Sequence, residues 1–381
     1  MTDLLWPGDE RAAGLFSDDT VLSALARVET AWLSALGVDA DLEKLLEPGD
    51  AERVARDAES GGNPFIPLLA LLRERLGDSP AADRLHRGLT SQDTLDTALV
   101  LCLRETISRV RADIGSQIAS LTRLADEHRA TPRAGRTLTQ HAVPITFGLT
   151  VANWLGGVLD AAAQLPAGLP VQIGGAAGNL AGPHAAGTGL PKREGLPERA
   201  AEILGLAVAP PWHTRRAPLT RVGDAFTACT DAWGHIANDV LTGSRPEIGE
   251  LSEATGGGSS AMPQKRNPTL SVLIRRAALA APGLAATLHT AAANQLDERA
   301  DGGWHVEWAT LRTLSRRTVV AGSQTADLLA GLRVHTDRMA AVLHSARPGV
   351  DAERDKLGGS YAGDEGAIID AVLRRAAEWA S

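Results

Sequence analysis

At 381 residues the chain is longer than one small core comfortably holds, so two or three domains or one elongated architecture are expected. Hydrophobic residues make up 44%, charged residues 22% and aromatics 3%. This excludes wholesale disorder and leaves a core of Ala, Leu and Val, which favours helices over strands. The net charge of -8 excludes a globally basic nucleic-acid binder but allows a locally positive pocket.

The segment 1–96 reads as an N-terminal helical domain. Its opening, MTDLLWPGDERAAG, lacks a basic stretch followed by an apolar core, so no secretory leader is expected and the chain reads as cytoplasmic. A central long-helix bundle is expected over 97–335. There, apolar residues step by threes and fours along narrow seams. One seam runs Leu103, Ile107, Val110, Ile114, Ile118, Leu121, in a helix over about 93–128. A second runs Val222, Phe226, Cys229, Trp233, Ile236, Val240. A third runs Leu311, Leu314, Thr318, Ala321, Thr325, Leu328. Such helices pack side by side in an all-α bundle, and no large sheet is expected.

Gly- and Pro-rich breaks fall at 165–197, 209–218 and 252–263. The uncharged stretch Ala277 to Leu296 reads as a buried helix and not a membrane span. Cys102 and Cys229 have no metal-ligand spacing and are too few for a disulfide scaffold, so a buried, reduced pair is expected. The segment 336–381 reads as a short helical tail.

Four segments gather polar and basic residues between helices. In His86-Arg87-Gly88-Leu89-Thr90-Ser91-Gln92-Asp93, any of Thr90, Ser91 and Asp93 can cap the next helix, and a helix N-terminus also attracts anions. The second is Thr139-Gln140-His141-Ala142-Val143-Pro144, where a lone histidine is more often structural. The third, Pro211-Trp212-His213-Thr214-Arg215-Arg216, carries an arginine pair that would ordinarily be a solvated surface feature. The fourth, Gly256 to Pro268, joins three glycines to Ser259-Ser260 and then Lys265 and Asn267. It has neither the phosphate-loop order nor a nucleophile elbow.

The sequence GSSAMPQKRNP (258–268) resembles the signature loop of the fumarase/aspartase superfamily, and the other segments follow in the superfamily's order over roughly residues 10–335. Within it the resemblance is strongest to the bacterial 3-carboxy-cis,cis-muconate cycloisomerase family, through HRGLTSQDTLDTAL (86–99), TQHAVPITFG (139–148), QIGGAAGNLAG (172–182), PWHTRR (211–216) and WHVEW (304–308). The resemblance implies an all-helical fold whose central helices form a homotetrameric bundle with shared active sites. It implies Ser259 and His141 as catalytic residues, Lys265 and Asn267 as ligands of a substrate carboxylate, and Thr90, Ser91 and Gln140 at carboxylate-binding positions. The substrate would be a small anionic polycarboxylate, with His86, Arg87, Arg215 and Arg216 as further binding candidates. No metal, organic cofactor, nucleic acid or membrane is implied.

The implied reaction closes a lactone. The substrate's own carboxylate adds across a double bond, the Ser259 hydroxyl protonates the neighbouring carbon, and His141 orients the attacking group. Three features depart from the family pattern: Leu138 follows Gly135-Arg136-Thr137, Arg215 stands where glutamine is usual, and the tail is abbreviated. The rival readings are an adenylosuccinate-lyase-like enzyme, another substituted-succinate lyase, and a helical scaffold without chemistry.

Overall fold

A computed structural model of the chain describes residues 2–188, 195–299, 301–357 and 363–380. Among the described residues helices dominate, in the order α1 (Asp18–Ala35), α2 (Asp50–Gly61), α3 (Phe65–Leu76), α4 (Pro80–Arg84), α5 (Ser91–Glu127), α6 (Phe147–Gln164), α7 (Ala181–Ala186), α8 (Leu196–Leu204), α9 (Ala217–Gly243), α10 (Thr269–Ala293), α11 (Gly302–Ala330), α12 (Thr336–Leu357) and α13 (Glu365–Ala380). Strands β1 (Pro132–Thr137) and β2 (Gln140–Thr146) form one antiparallel pair; β3 (Leu251–Glu253) and β4 (Leu332–Val334) form another.

Every residue of the three seams is buried. Helix α5 spans the expected 93–128 to within two residues at its start and one at its end. Cys102 and Cys229 are buried and free, and burial pushes both thiols up to about 12.

The compact units do not follow chain order. One is built from Met1–Ser108, Pro166–Asp224 and Gly283–Arg316, the other from Arg109–Leu165, Ala225–Pro282 and Arg317–Ser381. The three consecutive domains expected from the sequence are therefore not the units the backbone forms. The cause is the length of α5, α9, α10 and α11, each of which gives residues to both units.

In the first unit, α1 starts at Ser17, whose Oγ accepts the Thr20 N–H at 3.2 Å. Its buried face then reaches the segment before α5. Trp32 Nε1 donates to Arg87 O at 2.9 Å. The buried Glu29 accepts from His86 N at 3.0 Å, His86 Nδ1 at 2.8 Å and Thr94 Oγ1 at 2.7 Å. A carboxylate taken out of water needs such donors, and here they fix the path of the chain into α5.

In the second unit, Trp233 Nε1 on α9 donates to Gln117 Oε1 on α5 at 2.7 Å, and Gln117 Nε2 donates to Gly322 O on α11 at 2.9 Å. The tail packs into this unit: α13 pairs Arg375 with Asp160 of α6 at 2.5 Å, and its Asp370 with Arg129 at 2.8 Å.

The segment around His141 is a β-hairpin. Its two-residue turn, Leu138-Thr139, has φ of 47° and 71°, the doubly left-handed form that matches strand twist. Helix α10 buries one face, with Ile274, Ala277, Ala281, Leu288 and Ala291 inside. It is long and apolar enough to cross a membrane by length and composition, yet only 28% of its apolar window is buried, and Val272 and Leu279 face outward.

Candidate active site

The expected site residues fall into two groups, one in each unit. In the first unit, helix α5 is capped from within. Asp93, at the third helical position, accepts the Thr90 N–H at 3.0 Å, one arm of a capping box. The Thr90 and Ser91 hydroxyls, each a candidate for that capping role, take no partner among the described residues. They remain available to a ligand at the positive end of a 37-residue helix.

His86 is committed at Nδ1 to Glu29, and Arg87 is exposed without an ion pair among the described residues. Arg215 is exposed and donates from Nη2 to Pro211 O at 2.9 Å. Its neighbour behaves differently, and the expectation of Arg216 as a pocket cation gives way. The Arg216 side chain is fully buried; it donates to Asp96 at 2.7 and 2.9 Å, to Glu307 at 2.6 to 3.1 Å and to His213 O at 3.0 Å. The Trp212 ring covers the guanidinium at 5.0 Å, and Trp304 Nε1 donates to Asp96 at 2.9 Å. The PWHTRR and WHVEW segments thus meet in a buried ion network whose donors are already spent.

In the second unit the signature loop is closed at its neck. Gly257 N donates to Asn267 O at 2.7 Å and Asn267 N to Gly257 O at 2.8 Å. Asn267 Nδ2 donates to Gly258 O at 3.0 Å, so one of its amide hydrogens is held by the loop. A Cβ on Gly257 would lie 1.9 Å from Thr269 Oγ1, so this glycine serves close approach and not hinge freedom. Ser259 Oγ accepts the Ala261 and Met262 N–H groups at 3.3 and 3.2 Å. Those dipoles favour the alkoxide over the hydroxyl. Lys265 is exposed and has no ion pair among the described residues.

Glu253, just before the loop, accepts Leu270 N at 3.1 Å, Ser271 N at 2.8 Å and Ser271 Oγ at 2.7 Å, capping α10 with a negative charge. Gln140 and His141 lie exposed at the start of β2. The hairpin that carries them is tied to the root of the loop by the buried Glu250. It accepts from Arg136 at 3.0 and 2.7 Å and lies 3.4 Å from Arg133. Burial pushes the Arg133 guanidinium down, and Glu250 opposes that.

Glu250 and Glu253 escaped the sequence reading; Asp93 entered it as a cap candidate, and His213 and Gln172 only as members of motifs. Only Asp93 carried a signal, the Thr-x-x-Asp spacing of a capping box. Among the described residues, no group of three His, Cys, Asp or Glu side chains could hold a metal ion.

Comparison with known proteins gives four findings. A family model described as Lyase matches residues 65–283. Nitrosuccinate lyase of Streptomyces davaonensis is 43% identical over 359 residues, covering 89% of this chain and 76% of that protein. The 3-carboxy-cis,cis-muconate cycloisomerase of Pseudomonas aeruginosa is 39% identical over 302 residues, covering 76% of this chain and 64% of that protein. Among solved structures, the 3-carboxy-cis,cis-muconate lactonizing enzyme of Pseudomonas putida superposes with a TM-score of 0.81 at 28% identity, covering 96% of this chain and 97% of that one.

Proposed function

Because the chain belongs to the lyase family of the fumarase/aspartase superfamily, we propose that it is a 3-carboxy-cis,cis-muconate cycloisomerase acting through its signature loop. The observation that carries the reading is Ser259, held at the head of the closed loop under two N–H groups, with Lys265, six residues on, exposed and without an ion pair among the described residues. The substrate carboxylate is already ionised and needs no base. It forms the new C–O bond at one alkene carbon, and the π electron pair moves to the neighbouring carbon, beside another carboxylate. That carboxylate gains a second negative charge, which Lys265 and the remaining amide hydrogen of Asn267 are suited to hold, while Thr90 and Ser91 serve as carboxylate ligands where copies of the chain share a site. The Ser259 hydroxyl then gives its proton to the carbon. The alkoxide left behind is eased by the Ala261 and Met262 N–H groups until solvent returns the proton. His141 and Gln140 orient the attacking carboxylate, and where copies of the chain share a site Arg87, Arg215 and His86 supply outer positive or donor groups.

A second reading is favoured by the 43% identity to a nitrosuccinate lyase. There the same serine, as alkoxide, removes a proton from the carbon next to a carboxylate. The C–N bond breaks, and nitrite leaves behind an unsaturated dicarboxylate. Parallel assays separate the two. With 3-carboxy-cis,cis-muconate, rapid loss of the conjugated-diene absorbance is expected; with nitrosuccinate, little nitrite. Nitrite release with no diene loss overturns the first reading in favour of the second.

We also propose a homotetramer. The exposed apolar face of α10, with Val272 and Leu279 outward, supports burial against further copies of the chain. Sedimentation is expected to give four chains; a stable monomer would refute this.

A further inference from the structure

Asp93 is a fully buried carboxylate with five donors. Thr90 N and Gly175 N reach Oδ2 at 3.0 and 2.9 Å; Gln172 Nε2, Gly174 N and His213 Nε2 reach Oδ1 at 3.1, 2.9 and 2.9 Å. Three separate stretches of chain meet on this one group: the start of α5, the Gly174-Gly175 turn and the segment before α9. His213 is the only ionisable donor among the five. It is buried, and because Nε2 donates to Asp93, Nδ1 carries the lone pair in the neutral ring. Nδ1 has no partner among the described residues. The ring lies close against the turn: a Cβ on Gly174 would stand 3.0 Å from Cε1, and one on Gly178 3.3 Å from Nδ1.

The backbone of His213 is held independently of its ring. Its carbonyl accepts Gln92 Nε2 at 2.8 Å and Arg216 Nη1 at 3.0 Å. Changing the ring therefore tests the Nε2 bond and not the anchoring of the segment.

We propose that His213 is a positioning residue: by donating its Nε2–H to Asp93 it fixes the Thr90-Ser91 backbone and the Gly174-Gly175 turn in the geometry that receives a substrate carboxylate. This rests on Thr90 and Ser91 being carboxylate ligands, as proposed above. His213 reaches the substrate through Asp93 and the chain it holds.

The experiment compares His213→Gln with His213→Asn in the full-length protein. A glutamine amide nitrogen takes the place of Nε2; an asparagine nitrogen takes that of Nδ1 and cannot reach Asp93. Amide hydrogen exchange at Thr90, Gly174 and Gly175 reads the hub without any substrate. Protection is expected in wild type and His213→Gln and its loss in His213→Asn. With the working substrate, His213→Asn is expected to raise KM about tenfold with a smaller change in kcat, since a slightly misplaced ligand costs binding geometry, and His213→Gln to restore it. The proposal is overturned if the two variants behave alike, or if the three amides stay protected in His213→Asn. Should His213→Asn fail to fold, lost protection in a folded His213→Gln overturns it equally. The expected exchange pattern in a protein that turns over neither candidate substrate supports the hub and removes the assigned function instead.

Discussion

Replacing Ser259 with alanine is expected to lower kcat about 100- to 10,000-fold, the usual worth of a positioned proton donor or acceptor. The change removes one oxygen from an exposed loop whose neck, Gly257 to Asn267, is closed by backbone bonds that the side chain does not make. Folding and oligomerisation should therefore be unaffected, and KM should change little because Lys265 and Asn267 remain. Ser260, next in the chain and exposed, has no partner among the described residues, and Ser260→Ala should keep most activity. Steady-state kinetics on both variants decides the matter. A Ser259→Ala enzyme with more than about a tenth of wild-type kcat removes this serine from the proton transfer.

The second large effect is on stability. Arg216→Met is expected to cost about 3–5 kcal/mol, because it strands Asp96 and Glu307 in the interior without their cation. Burial works against the Arg216 charge, yet Asp96 and Glu307 outweigh it and hold the guanidinium above its ordinary value. Burial pushes the Glu307 carboxyl up even with Arg216 beside it, and Arg216 is the group that restrains the rise. In the variant that restraint is gone. Glu307 then binds its proton more readily in the folded chain than in the unfolded one, so stability falls as pH rises through that interval. The deficit should be largest at neutral pH and above. It should shrink as pH falls toward the unfolded carboxylate range near about 4.3. Thermal melts of both proteins across this range test the magnitude and the slope. A variant as stable as wild type at neutral pH would place the ion network outside the core's energetics.

The neighbouring arginines show what a linear reading can and cannot reach. Arg215 and Arg216 are chemically identical and adjacent, yet one is exposed and the other fully buried. What separates them is the partners of Arg216, 120 and 91 residues away, and nothing local announces those. The helical seams were legible because a step of three or four keeps one face apolar whatever the tertiary partner is. The hairpin was not. Its turn places Leu138 and Thr139 in left-handed conformations without the Gly or Asn that would advertise them, and a bulge between Ala134 and Arg136 breaks its alternation. The signature loop stood out by composition, but the carboxylates that brace it, Glu250 and Glu253, look like ordinary acidic residues in the chain.

The interleaving of the two units bears on how the protein is made. The first needs Gly283–Arg316 and the second needs Arg317–Ser381, so neither has all its parts until residues well past 283 have left the ribosome. Long stretches emerge with their apolar seams uncovered and wait for partners more than a hundred residues downstream. Such non-local closure is slow and exposes sticky surface during the delay. Late closure of both units, with apolar seams left open in the meantime, follows from the way the chain is threaded.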